Sequence, residues 1–372
     1  MKLIPRLLLL ACTVTSAALP TGGPRGAPYA LQEAIPQVPF LDAGSGSLSE
    51  LPDEGRLPSL EGATDWLNSP PLSTTALRGK VVVVDFWTYT CINWRRTLPY
   101  IRALAAKYRD HGLVVIGVHS PEFTFERDVN NVLSASREMG IEYPIAVDSD
   151  HRIWQAFGNQ YWPALYIVDA QGRIRHHKFG EGDYAKTEAV IRQLLVESGA
   201  SDLGPGLANV DARGVEVAAD WRSLKSPETY LGSLRTENFA SPGGAQVGQA
   251  RLYSAPPRLN QNHWALSGYW TMGKESAALD SPGGRIAFQF HARDLHLVMG
   301  PVTPGASIRF RVLIDGQPPG RARGADVDGE GNGTISGQRL YQLIRQSKPI
   351  TDRLFEIEFL DSGAQAFSFT FG

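Results

Sequence analysis

The sequence predicts an α/β domain followed by an all-β sandwich of jelly-roll type, and three observations carry that prediction. From about residue 57 to 198, apolar runs alternate with stretches of helical period, the order expected of a wound α/β sheet. From about residue 222 onward the pattern changes to short segments that alternate apolar and polar residues between Gly and Pro, as half-buried antiparallel strands do. The 372 residues exceed one typical domain, and 42% of them are hydrophobic, enough for two cores.

Taken in order, Lys2 and Arg6 lie beside an apolar run from Leu7 to Ala11 that extends weakly to Ala18. It is too short to span a bilayer and suits an export signal over residues 1–18. Ser16 and Ala18 suit ordinary cleavage, whereas Leu9-Leu10-Ala11-Cys12 resembles a bacterial lipobox that would lipidate Cys12; both fates stay open. Residues 19–56 are rich in Pro, Gly, Ser and Ala and read as a flexible tether.

The first domain, 57–198, is expected to contain strand Val81 to Phe86, helix Arg95 to His111, strand Leu113 to His119 and helix Val129 to Met139. A helix from Asp150 to Phe157, strand Ala164 to Val168, the turn Asp169 to Gly172, strand Ile174 to Phe179 and helix Tyr184 to Glu197 follow. Residues 199–221 loosen into Gly, Pro, Asp and Ala and read as a linker. In 222–372, Arg285 to His291, Asp294 to Met299, Ile308 to Ile314, Gln338 to Ile344 and Leu354 to Leu360 read as strands.

The chemistry centres on Phe86-Trp87-Thr88-Tyr89-Thr90-Cys91-Ile92-Asn93-Trp94, a cysteine at a strand-to-helix junction. Helix amides and the dipole, with Arg95 and Arg96 in the first turn, favour a thiolate there, so Cys91 is expected to ionise below the ordinary thiol value. A C-x-x-C pair needs a second thiol to resolve the mixed disulfide, and Trp94 occupies that place. Once Cys12 is removed or modified, Cys91 is the single free thiol, and in an oxidising compartment it is reactive or pairs between molecules.

These residues resemble the TlpA and ResA branch of the thioredoxin family, and in particular the extracytoplasmic portion of DipZ proteins. Asp85-Phe86-Trp87 keeps the family's spacing to the first cysteine, Pro99 matches the kink proline of the active-site helix, and Trp162-Pro163 resembles the cis-proline loop that faces it. Such proteins usually read C-I-N-C, from which Trp94 departs. The resemblance implies a thioredoxin-like fold, with Cys91 as nucleophile, Trp162 and Pro163 pairing with a substrate backbone, and Asp85 as a buried acid whose partner thiol is missing. The 222–372 segment resembles the small carbohydrate-binding-module-like sandwich of DipZ-type proteins, carried by Asn238-Phe239-Ala240-Ser241-Pro242-Gly243-Gly244 and Phe290-His291-Ala292-Arg293-Asp294-Leu295. DipZ relatives often carry a membrane-embedded electron relay, for which this chain offers no segment, so the reductant is expected to be another envelope protein.

Around Cys91, His119, Pro121 and Glu122 follow a strand and are candidates for tuning the thiol, or for simple strand capping. His176-His177 diverge on a strand and make a poor metal site. Asp326 to Asn332 resembles a calcium loop, but Gly337 stands where its bidentate Glu belongs, so a turn-rich hairpin is the better reading. Tyr253, Trp264, Tyr269 and Trp270 suit core packing better than a sugar platform. With 36 basic and 38 acidic side chains and a net charge of -2, no field for nucleic acid exists. No cofactor or metal is called for.

Three functions follow. The first is single-cysteine thiol-disulfide exchange in the periplasm or cell envelope, with client proteins bearing thiols or disulfides and an external thiol that resolves the adduct. The second is a non-catalytic module that binds protein or glycan, in which Trp94 supplies an apolar contact. The third is a peroxiredoxin-like peroxidase, prompted by Thr88 three residues before Cys91 and weakened by Val84 in the place of that family's motif proline.

Overall fold

A computed structural model of the chain describes residues 50–372. The residues read as an export signal, Cys12 and most of those read as a tether lie outside the described residues. The first domain runs β1 (Asp65–Leu67), β2 (Val81–Trp87), α1 (Ile92–Tyr108), β3 (Leu113–His119), α2 (Val129–Glu138), β4 (Ile145–Val147), α3 (Arg152–Ala156), β5 (Ala164–Val168), β6 (Ile174–Phe179) and α4 (Tyr184–Glu197). Its sheet has the order β1-β4-β3-β2-β5-β6, with β2, β3 and β4 parallel and β1, β5 and β6 antiparallel to their neighbours.

β2 is buried along its whole length, which explains its unbroken apolar run: it lies mid-sheet with helices on both sides. Val81, Val83 and Trp87 face a core shared with α1, α2 and α4, whereas Val82, Val84 and Phe86 face α3. β1 and β4 are absent from the sequence reading because three residues are too few to establish a period. α1 starts at Ile92 rather than Arg95, because Cys91 is its N-cap and the Cys91 carbonyl accepts the Arg95 amide at 2.9 Å.

Two segments read as loose are held. Within 50–56, the Glu54 amide bonds to the Ile174 carbonyl and Arg175 donates to the carbonyls of Leu51 and Pro52, so the end of the expected tether is fastened along β6. The 199–221 linker lies over the first domain: Leu203 enters its core, Ala208 donates to Glu188, and Glu216 pairs with Arg102 at 2.8 Å. Polar and Gly-rich composition suggested freedom, but backbone and charged groups found partners that spacing alone does not reveal.

The second domain consists of β7 (Thr229–Tyr230), β8 (Ala250–Tyr253), β9 (Trp264–Met272), β10 (Ala277–Leu279), β11 (Arg285–Phe290), β12 (Asp294–Pro301), β13 (Ile308–Ile314), β14 (Asn332–Ile335), β15 (Arg339–Arg345), β16 (Arg353–Phe359) and β17 (Ala364–Phe371). The strand order β14-β13-β16-β11-β9-β10-β17-β12-β15 folds into two layers joined by β9. The first half of β9 pairs with β11 and the second half with β10. The corner is Gly268, at φ 99°, where a Cβ would come 2.9 Å from the Gly284 Cα. Between the layers Phe288 of β11 meets Phe369 and Phe371 of β17 at 5.0 and 5.2 Å.

The two domains share a seam. Ile92, next to Cys91, packs with Phe123 of the first domain and Val298, Leu340 and Phe367 of the second. Arg96 on α1 donates to the Phe371 carbonyl at 3.3 Å, and Tyr230 and Arg235 donate to Glu122 at 2.7 and 2.9 Å.

Candidate active site

β2, β3 and β4 end together, and the turn from Thr88 to Thr90 carries the chain from β2 into α1. Cys91 stands at that junction, half-buried, with its sulfur 3.9 Å from the Trp162 carbonyl. The Trp162-Pro163 bond is cis, and the loop is anchored by the Trp162 indole, which donates to the Ser120 carbonyl and lies 4.3 Å from Trp154. Cys91 and the Trp162-Pro163 loop therefore lie together.

Trp94 fills the space beneath. It is fully buried, stacks on Trp87 at 4.3 Å, and its indole N–H donates to Asp85 Oδ2 at 2.9 Å. Asp85 was expected to have lost its partner; the substituting residue has become the partner. Burial still pushes the Asp85 carboxyl up to about 7, because one indole donor offsets only part of the desolvation. Asp85 Oδ1 has no hydrogen-bond partner among the described residues.

The expectation of a depressed Cys91 thiol is overturned. Amides of Trp94 and Asn93 at the start of α1 do favour the thiolate, but burial first, and the charge of Glu228 second, push the thiol well above its ordinary value. Arg95 and Arg96 do not supply the expected positive charge. Arg96 is buried in an ion pair with Glu181 at 2.8 Å and reaches the second domain. Arg95 is itself desolvated, the anions acting most strongly on it being Glu138 and Glu216.

His119 is buried, 3.5 Å from the Thr88 hydroxyl through Nε2 and edge-on to Trp87; burial holds it down to about 3, so it is neutral. The Thr88 hydroxyl is thus enclosed, not presented to a peroxide beside the sulfur. Glu122 belongs to the domain seam, where Tyr230 and Arg235 occupy it.

Sequence reasoning missed two acids. Glu126 is fully buried and accepts from the Thr90 hydroxyl at 2.6 Å and from the amides of Thr90, Glu122 and Phe123, so one carboxylate ties the turn before Cys91 to the loop after β3. No capping signature marked it in the sequence, because Phe123 at the N-cap carries no side-chain acceptor; the Glu126 carboxylate alone accepts the Phe123 amide. Glu228 comes from the second domain, and only the fold places it near Cys91.

Elsewhere, Asp326 is taken by Arg339 and the Gln342 amide, and Asp328 by Asn332, which accounts for the calcium-like loop as a hairpin. His177 pairs with Glu54 at 2.7 Å. Tyr253, Trp264 and Trp270 are core residues and only Tyr269 of the four is exposed, so these aromatics form no sugar platform.

A cysteine capping the first helix of such a sheet, opposite a cis-proline loop, is the arrangement of a thioredoxin-like protein. Residues 57–177 match the AhpC/TSA family, and residues 226–372, the all-β unit, match the family described as thioredoxin like C-terminal domain. Protein DipZ of Mycobacterium bovis is 36% identical over 337 residues, covering 88% of this chain and 44% of DipZ. The chain thus spans less than half the length of that relative. Thiol-disulfide oxidoreductase YkuV of Bacillus subtilis is 31% identical over 142 residues, covering 38% of this chain and 95% of YkuV. A solved thioredoxin-like protein in its oxidised form is 32% identical with a TM-score of 0.36, covering 38% of this chain and 95% of its own. The chain belongs to the thioredoxin-like thiol-disulfide oxidoreductase family.

Proposed function

We propose that the protein performs thiol-disulfide exchange through Cys91 alone. The observation that carries this reading is the Cys91 sulfur facing the carbonyl before cis Pro163, with tryptophan in place of a resolving thiol. The Cys91 thiolate attacks one sulfur of a client disulfide; that S–S bond breaks, a Cys91–client disulfide forms, and the other client sulfur leaves as a thiolate that takes up a proton. An external thiolate then attacks the client sulfur of the adduct: the Cys91–client S–S bond breaks, Cys91 leaves as a thiolate that takes up a proton, and the client–external disulfide that forms is opened by a second external thiol, giving the free client thiol and an external disulfide. The raised thiol makes this a slow nucleophile at neutral pH, suited to holding clients rather than to rapid turnover. Clients are thiol- or disulfide-bearing proteins met in the periplasm or envelope after export, and a separate envelope thiol is the reductant. No helix among the described residues is long and apolar enough to cross a membrane.

A second reading, a non-catalytic binding module, is favoured by the same raised thiol and by the Trp94–Asp85 bond that fills the old resolving position. The test is incubation of the reduced chain with bis(2-hydroxyethyl) disulfide and intact-mass measurement. Exchange predicts one mercaptoethanol adduct, reversed by dithiothreitol and missing from Cys91→Ser. An adduct that forms only after denaturation would discard exchange and leave the binding module.

A further inference from the structure

Asp148 stands just after β4, fully buried, and its carboxylate gathers three donors. Oδ1 accepts the Ile153 amide at 2.9 Å, and Oδ2 accepts the Trp154 amide at 2.8 Å and the Ser120 hydroxyl at 3.0 Å. The two amide bonds are those of a carboxylate that caps α3 from outside the helix. The hydroxyl bond is not part of a cap, because Ser120 belongs to the end of β3, at the sheet edge where Cys91 emerges. The same two residues tie the strand ends together: the Ser120 amide donates to the Trp87 carbonyl at 3.0 Å and the Asp148 amide to that of His119 at 2.8 Å.

Both partners of Oδ2 lead to Trp162. The Ser120 carbonyl accepts the Trp162 indole N–H at 3.1 Å, and the Trp154 ring lies 4.3 Å from the Trp162 ring. One carboxylate oxygen therefore fixes the two groups that grip this indole, one by its N–H and one by its ring. Further along the loop, the Pro163 carbonyl is held by the Gly180 amide at 2.8 Å. Among the described residues the Trp162 amide and carbonyl pair with no other backbone group, and the carbonyl faces the Cys91 sulfur at 3.9 Å. An unpaired amide and carbonyl beside a nucleophile are what an extended chain needs to add itself as a strand.

We propose that Asp148 is the positioning residue of the client loop: through Ser120 and Trp154 it locks Trp162, and so aims the Trp162 backbone to hold a polypeptide client with its sulfur against Cys91. This rests on the exchange reading and goes beyond it, because it gives a residue remote from the sulfur a part in choosing the client. In the step itself the Cys91 thiolate attacks the peptide sulfur of a client disulfide paired to Trp162. That S–S bond breaks, the Cys91–peptide disulfide forms, and the far sulfur leaves as a thiolate that takes up a proton. A disulfide half with no peptide backbone draws nothing from the loop.

The test uses the purified, reduced chain and a decapeptide whose one cysteine is joined to mercaptoethanol as a mixed disulfide. Attack on the peptide sulfur leaves the peptide on Cys91, attack on the other sulfur leaves mercaptoethanol, and intact mass at early times counts the two adducts. Their ratio is divided by the ratio that N-acetylcysteine amide gives with the same reagent, which removes the chemical bias between the two sulfurs. The wild-type chain is expected to favour the peptide adduct roughly tenfold, the size that two backbone hydrogen bonds of ordinary net worth produce. Asp148→Ala should bring the normalised ratio towards one, and Ser120→Ala, which cuts one of the two arms, should lower it roughly threefold. Because the ratio is internal to one reagent, lower stability or a slower thiol does not imitate its collapse. A wild-type ratio near one overturns the proposal, as does an undiminished ratio in folded Asp148→Ala; if that variant does not fold, Ser120→Ala decides by the same criterion. Absence of both adducts from the wild-type chain overturns the exchange reading itself, a result distinct from two adducts in the ratio the free thiol gives.

Discussion

Replacing Asp85 with asparagine should make the protein more stable at pH 8 while leaving it no more stable, or slightly less, at pH 4. Asp85 is fully buried, and its carboxyl is raised from 3.8 to about 7. Below 3.8 both the folded and unfolded chains hold the proton, and the residue carries no penalty. Between there and about 7 the unfolded chain gives up its proton while the folded chain keeps it, so stability falls as pH rises and the loss is complete above the folded value. Three pH units correspond to about 4 kcal/mol. Asparagine does not titrate, and its carbonyl can still accept the Trp94 indole N–H. Its amide brings two donors to the place of Oδ1, which has no partner, at a cost of about 1 kcal/mol. The net expectation is a gain of about 3 kcal/mol at pH 8 and a loss of about 1 kcal/mol at pH 4. Urea unfolding of both proteins at the two pH values measures it, because titrations remote from residue 85 cancel in the difference. An identical difference at pH 4 and pH 8 would refute the claim that Asp85 is a desolvated acid.

Trp94→Cys should cost about 3–5 kcal/mol, since it empties a fully buried indole from between Trp87 and Asp85, and the loss is read by urea unfolding. The same variant should gain insulin reductase activity; continued inactivity in a folded protein would argue against an intact redox scaffold. Phe367→Ala removes the ring that meets Phe123 and Phe125 across the seam at 5.1 and 4.7 Å. A destabilisation of about 3–5 kcal/mol is expected, together with faster iodoacetamide labelling of Cys91 as the seam loosens; unchanged labelling would mean that the second domain does not restrain the thiol.

The sequence was most legible where a period ran long enough to read. β3, β5, β6, α4 and β13 have the bounds expected of them, and Cys91, Trp162 and Pro163 meet because a strand-to-helix junction and a Trp-Pro loop are local signals. The ionisation of Cys91 was misread because the local terms, helix amides and adjacent arginines, are the only ones a sequence displays. The terms that win are burial and Glu228, which stands just before β7 in the second domain. The same limit applies to Arg96, read as a neighbour of the thiol and found in the seam, and to Glu122, whose partners Tyr230 and Arg235 are far along the chain. Trp94 was recognised as a missing thiol, yet its indole bond to Asp85 depends on where β2 and α1 place two side chains.

The contacts of Ile92 with Phe367 and of Arg96 with Phe371 also set an order in time. β17 is synthesised about 280 residues after Cys91, roughly 15–55 s later at 5–20 residues per second. Once α4 ends at Glu197, and until β17 is complete at Phe371, the first domain has all its own strands and helices but not the apolar cover that Phe367 lays against Ile92. The newly made chain thus passes through a stage in which its cysteine is more easily alkylated, oxidised or captured than it will be again, and completion of the last strand ends that stage.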